Sequence, residues 1–356
     1  MDAQSLELLR HSLDHWGVET LRPLAADLER YPISGRFPEG LFRSFDELGI
    51  LGGFADPKSE IDLEALAEIL FGVAGIDASI AVLLLGQNLS TGLLASAGRP
   101  APADWLALPL YDHPLDWPRT DNGFLTCEWR SIPALPIAGH VLLPIVVGGV
   151  PSLVVMDLGE RRSAGVGVSE PILTLGFRGC PIADLRLESV EIRREPVVLE
   201  GQALVHRLAL LWSHAEVLAM AIRSAILHSA YRTALDYAGQ RYQGGKVILE
   251  HSLIRRMLAE FQLADERLQT SWRRIARDAA PDRLLDRSAM AEALKSAVEA
   301  PAFASDGIQL LGGYGYMEDF GQEKRFRDVK QSEWLLGHPQ VKRFAAFEQA
   351  LEEDQR

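Results

Sequence analysis

Arg241 and Gln243 flank the glycine pair Gly244–Gly245 within "DYAGQRYQGGKVILEH" (236–251), and Gln309 precedes a second pair, Gly312–Gly313, in "QLLGGYGYMEDF" (309–320). Adjacent glycines let a helix stop abruptly and leave backbone N–H groups uncovered for a close approach. An arginine beside such a turn can hold two oxygens of one pyrophosphate through its planar donors. Together these residue types point to a nucleotide cofactor. The local alternatives are a helix C-cap followed by a turn with packed tyrosines at 312–316, and a capping or surface ion-paired role for Arg241.

The elements that must position these turns fall into three textures. From about 2 to 98 apolar residues recur at helical spacing, near 3–15, 39–49, 61–72 and 78–97, between clusters of Gly, Pro and Asp. Between roughly 100 and 198 the helical period gives way to short runs of Val, Ile and Leu broken by Pro and Gly, among them "HVLLPIVV" and "PSLVVMDL". "ADLRLESVEI" (183–192) alternates as a half-buried antiparallel strand with one slip in phase. From about 203 the helical period returns without internal Gly or Pro until Gly239, enough for a helix of roughly 50 Å at 1.5 Å per residue. Two more long patterns follow, one through Leu253–Trp272 and one over 282–299 that stops before Pro301. The chain is therefore expected to be mostly α with a small β domain: a helical domain at 1–100, a β-barrel or sandwich domain at 101–198, and a four-helix bundle at 199–356.

Composition narrows the partners. With 36 basic against 49 acidic residues among 356, a net charge of −13 opposes nucleic acids and anionic membranes. Two cysteines, Cys127 and Cys180, without metal-ligand spacing, exclude a disulfide scaffold or a structural zinc site and fit a reducing cytoplasm. The N-terminus "MDAQSLELLRHSLDHW" carries acids where a signal peptide needs a basic start. The apolar stretch 135–159 is long enough to raise a membrane span, but Pro136, Gly139, Pro144, Gly148, Gly149 and Pro151 would break it, so strands and turns are expected there.

Three segments, "ALDYAGQRYQGGKVILEHSLIRRMLAEF" (234–261), "DGIQLLGGYGYMEDFGQEKRFRDVKQ" (306–331) and "GHPQVKR" (337–343), resemble the C-terminal domain of the acyl-CoA dehydrogenase family, in order and at matching separations. "TLGFRGCPIADLRLESVEI" (174–192) resembles the end of that family's β domain, and "FDELGILGG" with "IDASIAVLLLGQN" resembles its N-terminal helices. The resemblance implies FAD in a cleft between domains, an acyl-CoA or other acyl thioester as substrate, and assembly as a homodimer or homotetramer with part of each FAD site lent by a neighbour. It places Arg241, Gln243 and His251 at the FAD pyrophosphate and adenosine, with Gln309, Gly312 and Gly313 at the site offered across subunits. Gln340 falls at an adenine-side contact, and His338 stands where the family has threonine. In "EWRS" (128–131), Trp129 falls beside the flavin and Ser131 near its reactive nitrogen N5. A buried strand tryptophan would give the same short match.

Two departures bear on the reaction. The family's flavin-binding loop has no counterpart motif in the shortened segment 106–123. The carboxylate that removes a proton beside the thioester carbonyl ordinarily precedes the glycine of "GHPQ", where this chain has Leu336, and a leucine cannot accept a proton. Some family members carry the base on the first long bundle helix near position 215. Ala215 stands there, with Glu216 next to it at a position where the family often has arginine. One residue turns a helical side chain by about 100°, so Glu216 would need a shifted register to act as the base. The other reading of Glu216 is a solvated or ion-paired surface carboxylate. Three functions follow: an FAD-dependent acyl-CoA dehydrogenase passing electrons to an electron-transferring flavoprotein; a noncatalytic subunit or acyl-thioester-binding homologue, heteromeric with an active partner; or a flavin-dependent oxygenase on the same scaffold.

Overall fold

The computed structural model describes residues 3–31, 37–38, 40–52, 61–111, 117–159, 165–192 and 197–354. Helix α1 (Ala3–Trp16) runs through a π-helical turn, Gly17–Leu21, into α2 (Arg22–Arg30), followed by α3 (Leu41–Glu47), α4 (Leu63–Ile76) and α5 (Ala78–Ser96). Aspartates set the last two starts. Asp62 accepts from the Ala65 amide at 2.8 Å, and Asp77 accepts from Ser79 at 2.9 Å, so it ends α4 and caps α5. Helix α5 is buried on nearly every side, as its unbroken apolar run requires. It and the first bundle helix are long and apolar enough to cross a membrane by length and composition, yet both pack inside the fold.

The middle of the chain forms two sheets. Strands β1 (Leu106–Ala107), β3 (His140–Val147), β4 (Val150–Asp157) and β7 (Val197–Glu200) lie in the order β1-β3-β4-β7, parallel between β1 and β3 and antiparallel elsewhere. Strands β2 (Phe124–Pro133), β6 (Ile182–Glu191) and β5 (Val166–Val168) form the second, in the order β2-β6-β5. The apolar stretch 135–159 is largely the β3–β4 hairpin, turned at Gly148 and Gly149 with φ of 57° and 88°, a conformation open to glycine. The phase slip expected in 183–192 is a register shift against β2 between Leu125 and Cys127, with Ser189 at φ 51°.

Helix α6 (Gly201–Gln240) has 40 residues, about 60 Å at the helical rise. It packs against α4, α7 (Ser252–Asp278), α8 (Arg287–Leu311) and α9 (Gln322–Gln331), and a small hairpin of β8 (Tyr242–Gln243) and β9 (Lys246–Val247) joins it to α7. The stop expected before Pro301 does not occur: Pro301 lies buried inside α8. A proline there forfeits one helical hydrogen bond at a cost of about 3 kcal/mol. Burial of Ala297, Ala300 and Ala304 along the same bundle face offsets it. The last described element is α10 (Pro339–Asp354).

Buried charge ties the three parts together. Glu68 of α4, 3% exposed, receives Arg10 from α1 at 2.7 Å and Arg273 from α7 at 2.8 Å. The β-domain loop before β6 docks on α9 through the Phe177 amide, which donates to the Asp328 carboxylate at 2.6 Å. Lys324 of α9 lies 2.6 Å from Asp328 and 3.4 Å from Asp77; burial alone would lower its pKa, but the surrounding carboxylates raise it above the ordinary lysine value.

Candidate functional site

One group of the residues singled out from the sequence gathers at the far end of α6. Arg241 follows its last turn, and the chain leaves α8 through two 3₁₀ turns, Gly312–Tyr316 and Glu318–Phe320, which bring Tyr314 beneath the Arg241 guanidinium at 5.7 Å from the ring centroid. Among the described residues no carboxylate pairs with Arg241. Arg241, Gln243, Gln309, Gly312 and Gly313 are all exposed. Gly312 has φ 59° and ψ −133°, a conformation that side chains avoid, and a Cβ at Gly312 or Gly313 would meet nothing within 4 Å. The glycine pair therefore opens onto solvent, while the rest of the turn packs on its own chain as the capping alternative expects: Tyr314 meets Tyr237 and Phe320, and Gly315 is buried against Ile308. A bare cation beside uncovered backbone suits a pyrophosphate. His251 serves the turn itself: its Nε2 meets the Gln243 carbonyl at 3.0 Å, so one ring nitrogen is already committed.

The remaining residues lie elsewhere, His338 and Gln340 at the start of α10 and Trp129 and Ser131 on β2. His338 Nδ1 accepts from the Gln340 amide at 3.1 Å, which caps the helix, and its ring meets Trp334 edge-on at 4.7 Å. Gln340 is exposed on the first turn. Trp129 is 1% exposed, opposite Leu185 in the interior of the β domain, so it packs as a buried strand tryptophan and not as the wall of an open cleft. Ser131 sits on the adjoining irregularity of β2 at φ 55°, its amide donating to the Asp184 carboxylate at 2.7 Å. Of the segment 106–123, residues 112–116 lie outside the described residues.

Glu216 is not a surface carboxylate. It is 5% exposed, and its Oε1 lies 2.9 Å from Lys342 Nζ of α10, while Oε2 is buried without a hydrogen-bond partner. Lys342 Nζ also donates to the Leu335 carbonyl at 3.0 Å, next to the fully buried Leu336, whose φ is 67°. Arg223, seven residues along α6, donates to the Ser332 carbonyl at 3.0 Å and the Ser296 hydroxyl at 3.2 Å. Burial lowers the pKa of both cations; Glu216 opposes this for each, with Glu333 assisting at Arg223. A carboxylate thus occupies the inner end of the bundle, close to the backbone where the sequence shows only leucine. Lys342 and Arg223 were missed by sequence reasoning. The signal for Arg223 was its spacing of two helical turns from Glu216; for Lys342 there was none, because its contact is tertiary.

Glu216 and Arg241 are separated by 25 residues of α6 (241 − 216), roughly 37 Å along the axis, beyond the reach of a single dinucleotide. Neither of two described cavities, of about 440 Å³ and 930 Å³, is lined by Trp129, Ser131, Glu216 or Leu336.

The family model described as acyl-CoA dehydrogenase, C-terminal domain, matches residues 198–350. A cyclohexane-1-carbonyl-CoA dehydrogenase of Syntrophus aciditrophicus (strain SB) is 26% identical over 206 residues, 55% of this chain and 51% of that protein. The chain spans about half the length of the curated relatives it matches. The crystal structure of acyl-CoA dehydrogenase from Geobacillus kaustophilus superposes with a TM-score of 0.86 at 17% identity over 98% of both chains. A glutaryl-CoA dehydrogenase from Mycobacterium smegmatis in complex with FADH2 superposes with a TM-score of 0.81 at 14% identity, over 99% of this chain and 95% of that one.

Proposed function

Because this chain belongs to the acyl-CoA dehydrogenase family, we propose that it is an FAD-dependent oxidoreductase acting on the CH–CH group of an acyl thioester. The observation that carries the reading is Glu216: a buried carboxylate with one oxygen on Lys342 and the other unpartnered, beside the Leu335–Leu336 backbone. Such a group can take the proton from the carbon next to the thioester carbonyl, with the departing electron pair shared into that carbonyl.

FAD is the cofactor, and it supplies the acceptor for the hydride leaving the following carbon. The donor set that fits it best is at the exposed turns. Arg241 would hold the pyrophosphate, the backbone at Gly312–Gly313 and the side chains of Gln243 and Gln309 would take the adenosine side, and Gln340 lies at the start of α10. Ser131 and Trp129 belong to the flavin end; Trp129 supports the strand from within the sheet and does not itself face the ring. Since about 37 Å of helix separates Arg241 from Glu216, one protomer's turns serve the FAD whose ring lies in another. Exposed Tyr242, Leu253, Tyr316 and Met317 around those turns, from 51% to 74% exposed, supply apolar surface for a homodimer or homotetramer. Electrons then pass to an electron-transferring flavoprotein, in a cytoplasm that keeps Cys127 and Cys180 as thiols.

A specific observation favours a second reading, a noncatalytic acyl-thioester-binding subunit: Leu336 is fully buried at the usual base position, and Glu216 is already ion-paired. Glu216→Gln separates the two. If the first reading holds, the wild-type protein is yellow and bleaches anaerobically with acyl-CoA, and the variant keeps its FAD but no longer bleaches. Unchanged bleaching in the variant would remove Glu216 from the mechanism, and a wild-type protein that gains flavin only with a co-expressed homologue favours the second reading.

A further inference from the structure

We infer that Tyr314 is a positioning residue for the cofactor: its ring supports the Arg241 guanidinium and holds it ready for the FAD pyrophosphate. This rests on the placement of the pyrophosphate at Arg241 proposed above, but the support itself is a property of the protein alone. Arg241 Cζ stands over the Tyr314 ring, 5.7 Å from its centroid. Within about 6 Å the negative face of an aromatic ring attracts a cation. The contact uses none of the guanidinium's N–H donors and leaves its charge uncancelled, so both remain for phosphate oxygens.

The rest of Arg241 is already fixed. Its amide donates to the Tyr237 carbonyl at 2.9 Å and its carbonyl accepts from the Ile248 amide at 2.8 Å, which pins the backbone between α6 and the β8–β9 hairpin. Only the side chain is left to move. An exposed arginine must give up many rotamers to grip two oxygens, and a ring that narrows its range beforehand lowers that loss. The ring is itself held: its centroid lies 5.3 Å from that of Phe320 and 6.0 Å from that of Tyr237, with Tyr237 and Phe320 edge-on at 5.9 Å. Gly315 follows against the Ile308 backbone, where no side chain has room, and this sets the turn that carries Tyr314. Arg273 shows the contrast. It lies over Trp272 at 4.4 Å but spends its donors on Glu68 and Gln269, whereas Arg241 has its ring and, among the described residues, no ion pair. A supported cation with its donors free is the arrangement that an anionic ligand completes.

The test uses the full chain freed of flavin, as wild type, Arg241→Ala, Tyr314→Leu, Tyr314→Phe and the double variant Arg241→Ala/Tyr314→Leu. FAD is added and its affinity is read from flavin fluorescence. Tyr314→Leu is expected to weaken binding about 2- to 5-fold, the worth of a cation–π contact at an exposed site. Tyr314→Phe keeps the ring face and is expected to stay within about twofold of wild type. In the Arg241→Ala background, Tyr314→Leu is expected to cost less than about twofold, because a positioning role acts only through the arginine. Before FAD is added, NMR of arginine-labelled protein follows the Arg241 side-chain signal, assigned by its disappearance in Arg241→Ala. That signal is expected to be displaced by the ring in wild type and Tyr314→Phe and not in Tyr314→Leu.

A Tyr314→Leu variant that binds FAD as tightly as wild type overturns the inference, as does an Arg241 signal that does not respond to that substitution. A loss of the same size in the Arg241→Ala background overturns it too, by marking a purely structural role. If Tyr314→Leu disturbs the fold, a pentafluorinated phenylalanine at position 314 takes its place. It keeps the shape of the ring but removes the negative face, so binding is expected to weaken about 2- to 5-fold against Tyr314→Phe, and equal affinity refutes the inference. Arg241→Ala with wild-type affinity, in a protein whose Arg241 signal still shows the ring contact, would instead overturn the placement of the pyrophosphate, and this inference with it.

Discussion

Replacing Glu68 by glutamine preserves the shape of the side chain and removes the charge that joins the N-terminal helices to the bundle. The carboxylate takes Arg10 Nη2 at 2.7 Å and Nε at 3.3 Å, and Arg273 Nε at 2.8 Å and Nη2 at 3.4 Å. Arg273 is 27% exposed and stacks over Trp272 at 4.4 Å, whereas Arg10 is 40% exposed. Losing a buried partner costs about 3–5 kcal/mol, because the remaining charge stays in place. The Arg10 arm, screened by water, adds no more than about 1 kcal/mol. Both arginines can reach solvent by moving, so the low end, about 3 kcal/mol, is expected. At about 2.1 cal/mol/K per residue, a chain of 356 residues unfolding together shifts by about 1.3 °C per kcal/mol, so the melting temperature falls by roughly 4 °C. Calorimetry on wild type, Glu68→Gln and Glu68→Gln/Arg273→Met measures this, the double variant recovering part of the loss. A fall of no more than about 1 °C would show that the joint contributes no more than a surface pair and would count against this prediction.

Arg241→Ala removes a charge-assisted contact worth about 1.5–3 kcal/mol, so FAD affinity should weaken by roughly 10- to 150-fold in a fluorescence titration of the apoprotein, with the fold intact by circular dichroism. His214 is buried in α6 and its pKa lies below 6.5, lowered chiefly by burial. An imidazole depressed in the folded state lends stability above the unfolded value and loses it as pH falls, so stability should drop by up to about 1.4 kcal/mol per pH unit below about 6.5. His214→Gln should flatten that slope in denaturant melts taken between pH 7 and 5.

The architecture was legible because period and punctuation are local. The run from Leu208 to Ser229 announces α6, the glycine pairs announce the turns, and the prolines and glycines of 135–159 announce a hairpin. What the sequence could not carry is pairing at a distance. Pro301 reads as a stop, and only the bundle face it buries explains its place inside α8. Trp129 and Ser131 were legible as a motif, but the burial of Trp129 and the bond from Ser131 to Asp184 depend on how β2 lies on β6. Glu216 looked like a carboxylate on a helix surface because its partner, Lys342, is contributed by another helix entirely.

The central claim is that this chain oxidises an acyl thioester with a flavin held by its Arg241 and Gly312–Gly313 turns. The most direct measurement is the visible spectrum of the purified protein, reconstituted with FAD, during anaerobic addition of a panel of acyl-CoA thioesters. Stoichiometric FAD that bleaches with at least one of them is the predicted result; a protein that takes up no flavin, or whose bound flavin stays oxidised with every thioester, would contradict it.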